Sequence, residues 1–266
     1  MPPDAANEPA YAVDPRNEPA PTGLPRLQVI HLMLWMAATA VAFLPYQMQR
    51  QAQDRMSPGA AELSQTVSAT AIGVITGLST GSDLLVVAAL WYWRRKGRGY
   101  RLQPGHWFAF EGVGQWIMAA GLWLIILNSE GPRYGSFAWR IIPHLLIGLG
   151  FFACYIWLAW RSKEPSRWRW TFAATALSPV AAWLLTVVAA FTGSLRGSIG
   201  AFMISSAATT AVVGLLLLAA MVGDLRVKTD RHWSHWLVAG MRLAVLVATA
   251  AMYAYFGLYP QAITGK

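Results

Sequence analysis

Seven long apolar runs, separated by short polar or basic turns, set the pattern of this chain. They are Leu27 to Tyr46, Val67 to Trp93, Trp107 to Asn128, Phe137 to Trp160, Trp170 to Gly193, Ile199 to Val222, and Trp236 to Tyr255. Each approaches or exceeds the roughly 20 residues that a helix needs to cross a hydrocarbon layer about 30 Å thick. Inside such a layer the backbone must satisfy its own hydrogen bonds, so the runs predict helices and not strands. The expected fold is therefore an all-α, polytopic helical bundle. Residues 1–26 form a Pro-rich tail, residues 27–256 the membrane domain and residues 257–266 a short C-terminal tail.

Composition agrees with that pattern: 56% of the 266 residues are hydrophobic and only 12% charged, a balance too apolar for an ordinary soluble domain. The net charge of +9 does not point to nucleic acid, because the basic residues sort by loop instead of forming one exposed face. Arg94, Arg95, Lys96, Arg98 and Arg101 separate runs two and three. Arg161, Lys163, Arg167 and Arg169 separate four and five, and Arg226, Lys228 and Arg231 separate six and seven. By the positive-inside rule these loops are cytoplasmic, which places the N-terminus inside and the C-terminus outside a cell inner membrane. Trp91, Trp93, Trp107, Trp157, Trp160, Trp168, Trp170, Trp233 and Trp236 flank the same loops, as rings that favour the headgroup level do. The N-terminal tail lacks the basic region that precedes a signal-peptide core and reads as disordered and cytoplasmic.

Periodicity divides the second run into two faces. Gly73, Gly77 and Gly81 recur every fourth residue and form a ridge on which a neighbouring backbone can pack closely. Thr76, Ser79, Thr80 and Asp83 share the adjacent face as a polar stripe. Asp83 lies some ten residues from the Trp91 to Trp93 belt, about 15 Å into the layer. A carboxylate there costs about 2.5–3.5 kcal/mol unless it is protonated, paired or wetted, which marks it as an ion- or proton-binding site or as the partner of a buried cation.

Three further polar groups join it as expected ion or proton sites. Glu111 lies one turn from Gln115, and Arg242 sits at a comparable depth in the seventh run, so the two are expected either to pair or to bracket an inward vestibule; Arg242 could instead snorkel. His144, after Pro143 and near Arg140, is expected as an interfacial cap or an outer proton-transfer group. Ser178-Pro179 predicts a kink in the fifth run.

Other chemistries find little support. The Gly77-Leu78-Ser79-Thr80-Gly81 stretch resembles a nucleophile elbow only in spelling, since an elbow needs a preceding strand. An intramembrane serine enzyme would need a histidine level with Ser79, and His144 lies nearer the outer end, while His31, His106, His232 and His235 fall toward the other side. Neither haem nor a structural zinc is expected from those histidines, no lysine in the seventh run could hold retinal, and lone Cys154 reads as a small core residue. No cofactor, metal or catalytic group is assigned. The leading expectation is a small permease-like or proton-coupled carrier with lipid, a small solute or a proton as partners. The alternative is a membrane scaffold whose buried polar residues are structural, in a homo-oligomer or a complex with a membrane partner.

Overall fold

The computed structural model describes residues 29–44, 47, 63–97, 102–128, 137–192, 195–229 and 231–258. Among them it has seven α-helices and no strand: α1 Val29–Ala42, α2 Leu63–Arg95, α3 Pro104–Asn128, α4 Phe137–Arg161, α5 Ser166–Thr192, α6 Leu195–Arg226 and α7 Trp233–Leu258. Gly73–Arg95, Gly200–Arg226 and Trp233–Phe256 are long and apolar enough to cross a membrane, and Leu32–Ala42 is a shorter apolar helix.

Several helices run past their apolar cores into the basic turns, and the local chemistry explains where they stop. Gly97, in the left-handed region at φ 71°, ends α2 by donating to the Arg94 carbonyl at 3.1 Å. After α6, Lys228 takes the same conformation at φ 50°; its amide bonds Leu225 and that of Thr229 bonds Asp224, the paired closure of a Schellman turn. Pro104 opens α3 at a position where no amide donor is needed. Inside α5, Pro179 cannot donate to the carbonyl of Thr175, and the hydroxyl of Ser178 bonds that carbonyl instead at 3.3 Å.

Packing is uneven along the bundle. Val86, Leu90, Phe108, Tyr155, Leu158, Trp168, Phe172, Leu217 and Val238 form one buried cluster, and every one of them lies toward the basic end of its helix. Helices α5, α6 and α7 pack side by side, α7 also contacts α2 and α3, and α1 lies outside this group against α2. Gly77 and Gly81 of α2 face Phe43, just after α1, and Thr39, within it. A β-carbon at Gly81 would stand 2.7 Å from the backbone Cα of Thr39, and one at Gly77 would stand 2.8 Å from the ring of Phe43. Gly73 is also buried. Beside the ridge, the indole of Trp35 donates to the buried hydroxyl of Ser82 at 2.9 Å.

The tryptophans divide where a common interfacial role was expected. Trp91, Trp157, Trp160 and Trp170 are exposed, but Trp168 is fully buried and donates to Asp224 at 2.9 Å. An indole beside a basic loop reads as interfacial from sequence; an inward-facing carboxylate one helix away is what turns this one into the core.

Candidate functional site: a polar cavity between five helices

A cavity of about 560 Å³ lies between α2, α3, α4, α5 and α7. Thr76, Ser79, Thr80 and Asp83 line it from α2, so the polar stripe faces this space together with Glu111, Gly112, Gln115 and Trp116 from α3. Helix α4 contributes Phe151, Phe152 and Tyr155, α5 contributes Thr175 and Pro179, and α7 contributes Arg242.

Glu111 is the polar centre of the floor. Its carboxylate accepts from Arg242 at 2.9 Å and from Gln115 at 2.9 Å, and Tyr155 donates to the same oxygen as Arg242. Arg242 therefore reaches Glu111 across the bundle and does not snorkel; its guanidinium also lies 5.8 Å from the centroid of the Phe108 ring. Toward the basic ends the described residues beneath this pair are the packed core, including Phe108, Phe172 and Trp168. From this pair the described lining of the cavity runs away from the basic ends, to Thr76, Ala119 and Gly148.

Asp83 differs from Glu111 in one respect. It is 5% exposed and lines the cavity, yet among the described residues it takes part in no hydrogen bond or ion pair. Its Oδ2 lies against Gly112, where any β-carbon would collide with the carboxyl, so a glycine on α3 is what lets the acid occupy this wall. The indole nitrogen of Trp116, another lining residue, is buried and meets no acceptor among the described residues.

A second ionic assembly lies at the basic end, away from the cavity. Asp224, fully buried, accepts from Arg167 at 2.5 Å, Trp168 at 2.9 Å and Arg231 at 2.9 Å, and Arg231 also reaches Glu164 at 2.8 Å. The Arg231 guanidinium loses solvation there, but its bonds to Glu164 and Asp224 outweigh that and raise its pKa above the ordinary value. Gly223 gives Arg167 room, since a β-carbon there would lie 2.7 Å from its Cδ.

The histidines form a third group, at the junction of α3 and α7. His106 accepts the Gln103 amide on Nδ1 at 3.0 Å, so when neutral it carries its proton on Nε2, 2.8 Å from the Ser234 hydroxyl. Ser234 in turn lies 2.8 Å from Nδ1 of His232, and Nδ1 of His235 accepts the Gly105 amide at 2.8 Å. These rings act as acceptors for amides at helix starts, the role more often filled by Ser or Asp. Burial first, then the neighbouring His235, His232 and Arg231, hold His106, which precedes the apolar run, down to about pKa 3. Among the described residues no group of His, Cys, Asp and Glu could hold a metal ion.

The helix containing His144 is described, but the side chain of His144 lies outside the described residues, as does that of His31. Tyr155, Gly112, Thr175 and Asp224 are among the site and network residues that the sequence did not single out. Only Asp224 carried a signal, as an acid at the end of an apolar run and within a turn of Arg226.

The fold and cavity define a class, an all-helical bundle with membrane-length apolar helices around a polar cavity. No protein-family model, curated protein or solved structure matches the chain.

Proposed function

We propose that the chain is a small multi-pass carrier of the inner membrane, with seven spans, a cytoplasmic N-terminus and an outer C-terminus, in which Asp83 exchanges a proton against a small solute. The observation that carries this reading is Asp83, buried on the wall of a 560 Å³ cavity and without a hydrogen bond or ion pair among the described residues. A carboxyl buried at that depth and facing a cavity is placed to exchange its proton for a cation that arrives beside it. The proposed orientation draws on Arg94 and Arg95, Arg161 and Arg226, which occupy the last turns of α2, α4 and α6.

The test is solute-driven proton movement in vesicles carrying the purified chain and an internal pH-sensitive dye. A panel of small cationic, neutral and anionic solutes is added outside. At least one is expected to move protons, and Asp83→Asn is expected to abolish the signal while inserting normally. Absence of any solute-dependent signal from the unmodified chain refutes the carrier.

The second reading, a scaffold without transport, is favoured by the Asp224 assembly, whose donors join α5, α6 and the α6–α7 turn far from the cavity. Under that reading Asp83→Asn leaves any partner complex intact and no solute moves protons.

A further inference from the structure

The chemistry of the cavity wall is specific enough to name a class of solute, resting on the reading of Asp83 as the exchange site. Glu111 cancels the charge of Arg242 through a direct 2.9 Å ion pair, so an ionised Asp83 leaves the cavity one negative charge in excess. Among the described residues the other charged and titratable groups facing that space are Glu111 from α3, Tyr155 from α4 and Arg242 from α7, and α5 brings Thr175, Ala176 and Pro179. Helix α1, behind α2, brings Thr39 against Gly81 and Trp35 against Ser82. Among the described residues lining the cavity, the one cation, Arg242, is already paired with Glu111, so an anion gains little there.

Size and lining separate the kinds of cation. A bare metal ion needs several oxygens gathered within about 2.6 Å of one point; the hydroxyls of Thr76, Ser79, Thr80 and Thr175 line the space, but among the described residues no group of three His, Cys, Asp or Glu could hold such an ion. Opposite the polar stripe the walls carry Trp116, Phe151, Phe152, Met118 and Val245, an aromatic and apolar surface. Such a surface suits an organic body, and aromatic faces attract an ammonium head.

We propose that the cavity binds a small organic ammonium cation, its charged head on Asp83 and its apolar body on the Phe151, Phe152 and Trp116 wall, in exchange for one proton. In the exchange the O–H bond of the Asp83 carboxylic acid breaks, the proton leaves to water, and the carboxylate keeps the electron pair and faces the ammonium. One positive charge departs for each that enters, so the cavity never holds an uncompensated ion.

The experiment is calorimetric titration of the purified full-length chain with benzyltrimethylammonium chloride, sodium chloride serving as the inorganic comparison at equal ionic strength. Benzyltrimethylammonium is expected to bind and sodium is not. In the acid range its affinity is expected to fall about tenfold for each unit of pH lowered, because one proton competes for one carboxylate. Asp83→Asn is expected to remove both the binding and its pH slope, and Phe151→Leu to weaken binding about two- to fivefold by removing one ring face. Bound ammonium should also protect Asp83 from dicyclohexylcarbodiimide, which modifies buried protonated carboxyls.

Failure separates the two levels. Carbodiimide modification of Asp83 that sodium blocks and benzyltrimethylammonium does not would overturn the ammonium class and leave the proton site standing. Equal ammonium binding by Asp83→Asn, or no binding at any pH, likewise overturns the class. No modification of Asp83 by carbodiimide at any pH overturns the underlying exchange site as well.

Discussion

Replacing Glu111 by Gln removes one negative charge from the cavity floor and changes almost nothing in size, so its consequences can be worked from the contacts. The carboxylate accepts from Arg242 and Gln115 at 2.9 Å each and from the Tyr155 hydroxyl, with 8% of the side chain exposed. Breaking a buried ion pair from one side costs about 3–5 kcal/mol, because the remaining charge is stranded. Arg242 retains 21% exposure in the cavity, and water there offsets part of the loss, so we expect Glu111→Gln to cost about 2–3 kcal/mol. Arg242→Met should cost less. A stranded carboxylate can take up a proton and become neutral, whereas a stranded guanidinium cannot lose one. The double variant Glu111→Gln/Arg242→Met should be less damaged than the two single costs predict together, with a coupling of about 1–3 kcal/mol. Detergent-solubilised unfolding, titrated with a denaturing surfactant and followed by loss of helical signal, measures all four proteins. Additive single effects, or a greater cost for Arg242→Met than for Glu111→Gln, would refute the charge-pair account.

Three other outcomes follow from the packing. Gly81→Ala should cost about 1–3 kcal/mol, because its neighbour is the Thr39 backbone, and Gly77→Ala clearly less, because the Phe43 ring can turn; unfolding midpoints that rank them the other way contradict an α1–α2 seam. Asp224→Asn should lower the unfolding midpoint by the equivalent of about 2–4 kcal/mol, since Arg167 and Arg231 both lose their acceptor, while carbodiimide still modifies Asp83; unchanged stability would sink that assembly as a structural clamp. Acid should destabilise the bundle through His106. Its folded pKa of about 3 lies below the unfolded value, so its contribution is complete above about pH 6.5 and falls by about 1.4 kcal/mol per unit down to pH 3; His106→Asn should flatten that slope in melting curves taken across the range.

The helices were readable from their long apolar runs, and their observed bounds depart from the runs by a few residues, mostly where the backbone continues into charged turns. Contacts within one helix were equally readable: Gln115 bonds Glu111 four residues away, as spacing on one face requires. Depth counting brought Glu111 and Arg242 to the same level, but it could not say how each helix is rotated. Rotation decides that Tyr155 points at Glu111, that Gly112 admits Asp83, and that Trp168 turns inward to Asp224 instead of outward to the headgroups. A tyrosine or glycine in an apolar run carries no mark of the partner it will meet on another helix. The histidines illustrate the same limit, since the "RHWSHW" stretch reads as interfacial, yet His232 and His235 are buried and accept backbone amides from helix starts.

The contrast between Asp83, Glu111 and Asp224, the buried acids among the described residues, gives the functional reading its sharpest test. Glu111 and Asp224 each accept three or more hydrogen bonds, and removing either should destabilise the fold. Asp83 accepts none among the described residues, so its burial is a cost that no contact offsets. Replacement by the neutral, nearly isosteric Asn should therefore raise stability, by about 0.5–2 kcal/mol, the range typical when a strained functional group is removed. A residue kept for structure behaves in the opposite way. If Asp83→Asn lowers the unfolding midpoint as Asp224→Asn does, then Asp83 is held by contacts within the bundle and the scaffold reading gains. If the midpoint rises while solute-driven proton movement is lost, stability and activity pull in opposite directions at one carboxyl, which packing alone does not explain.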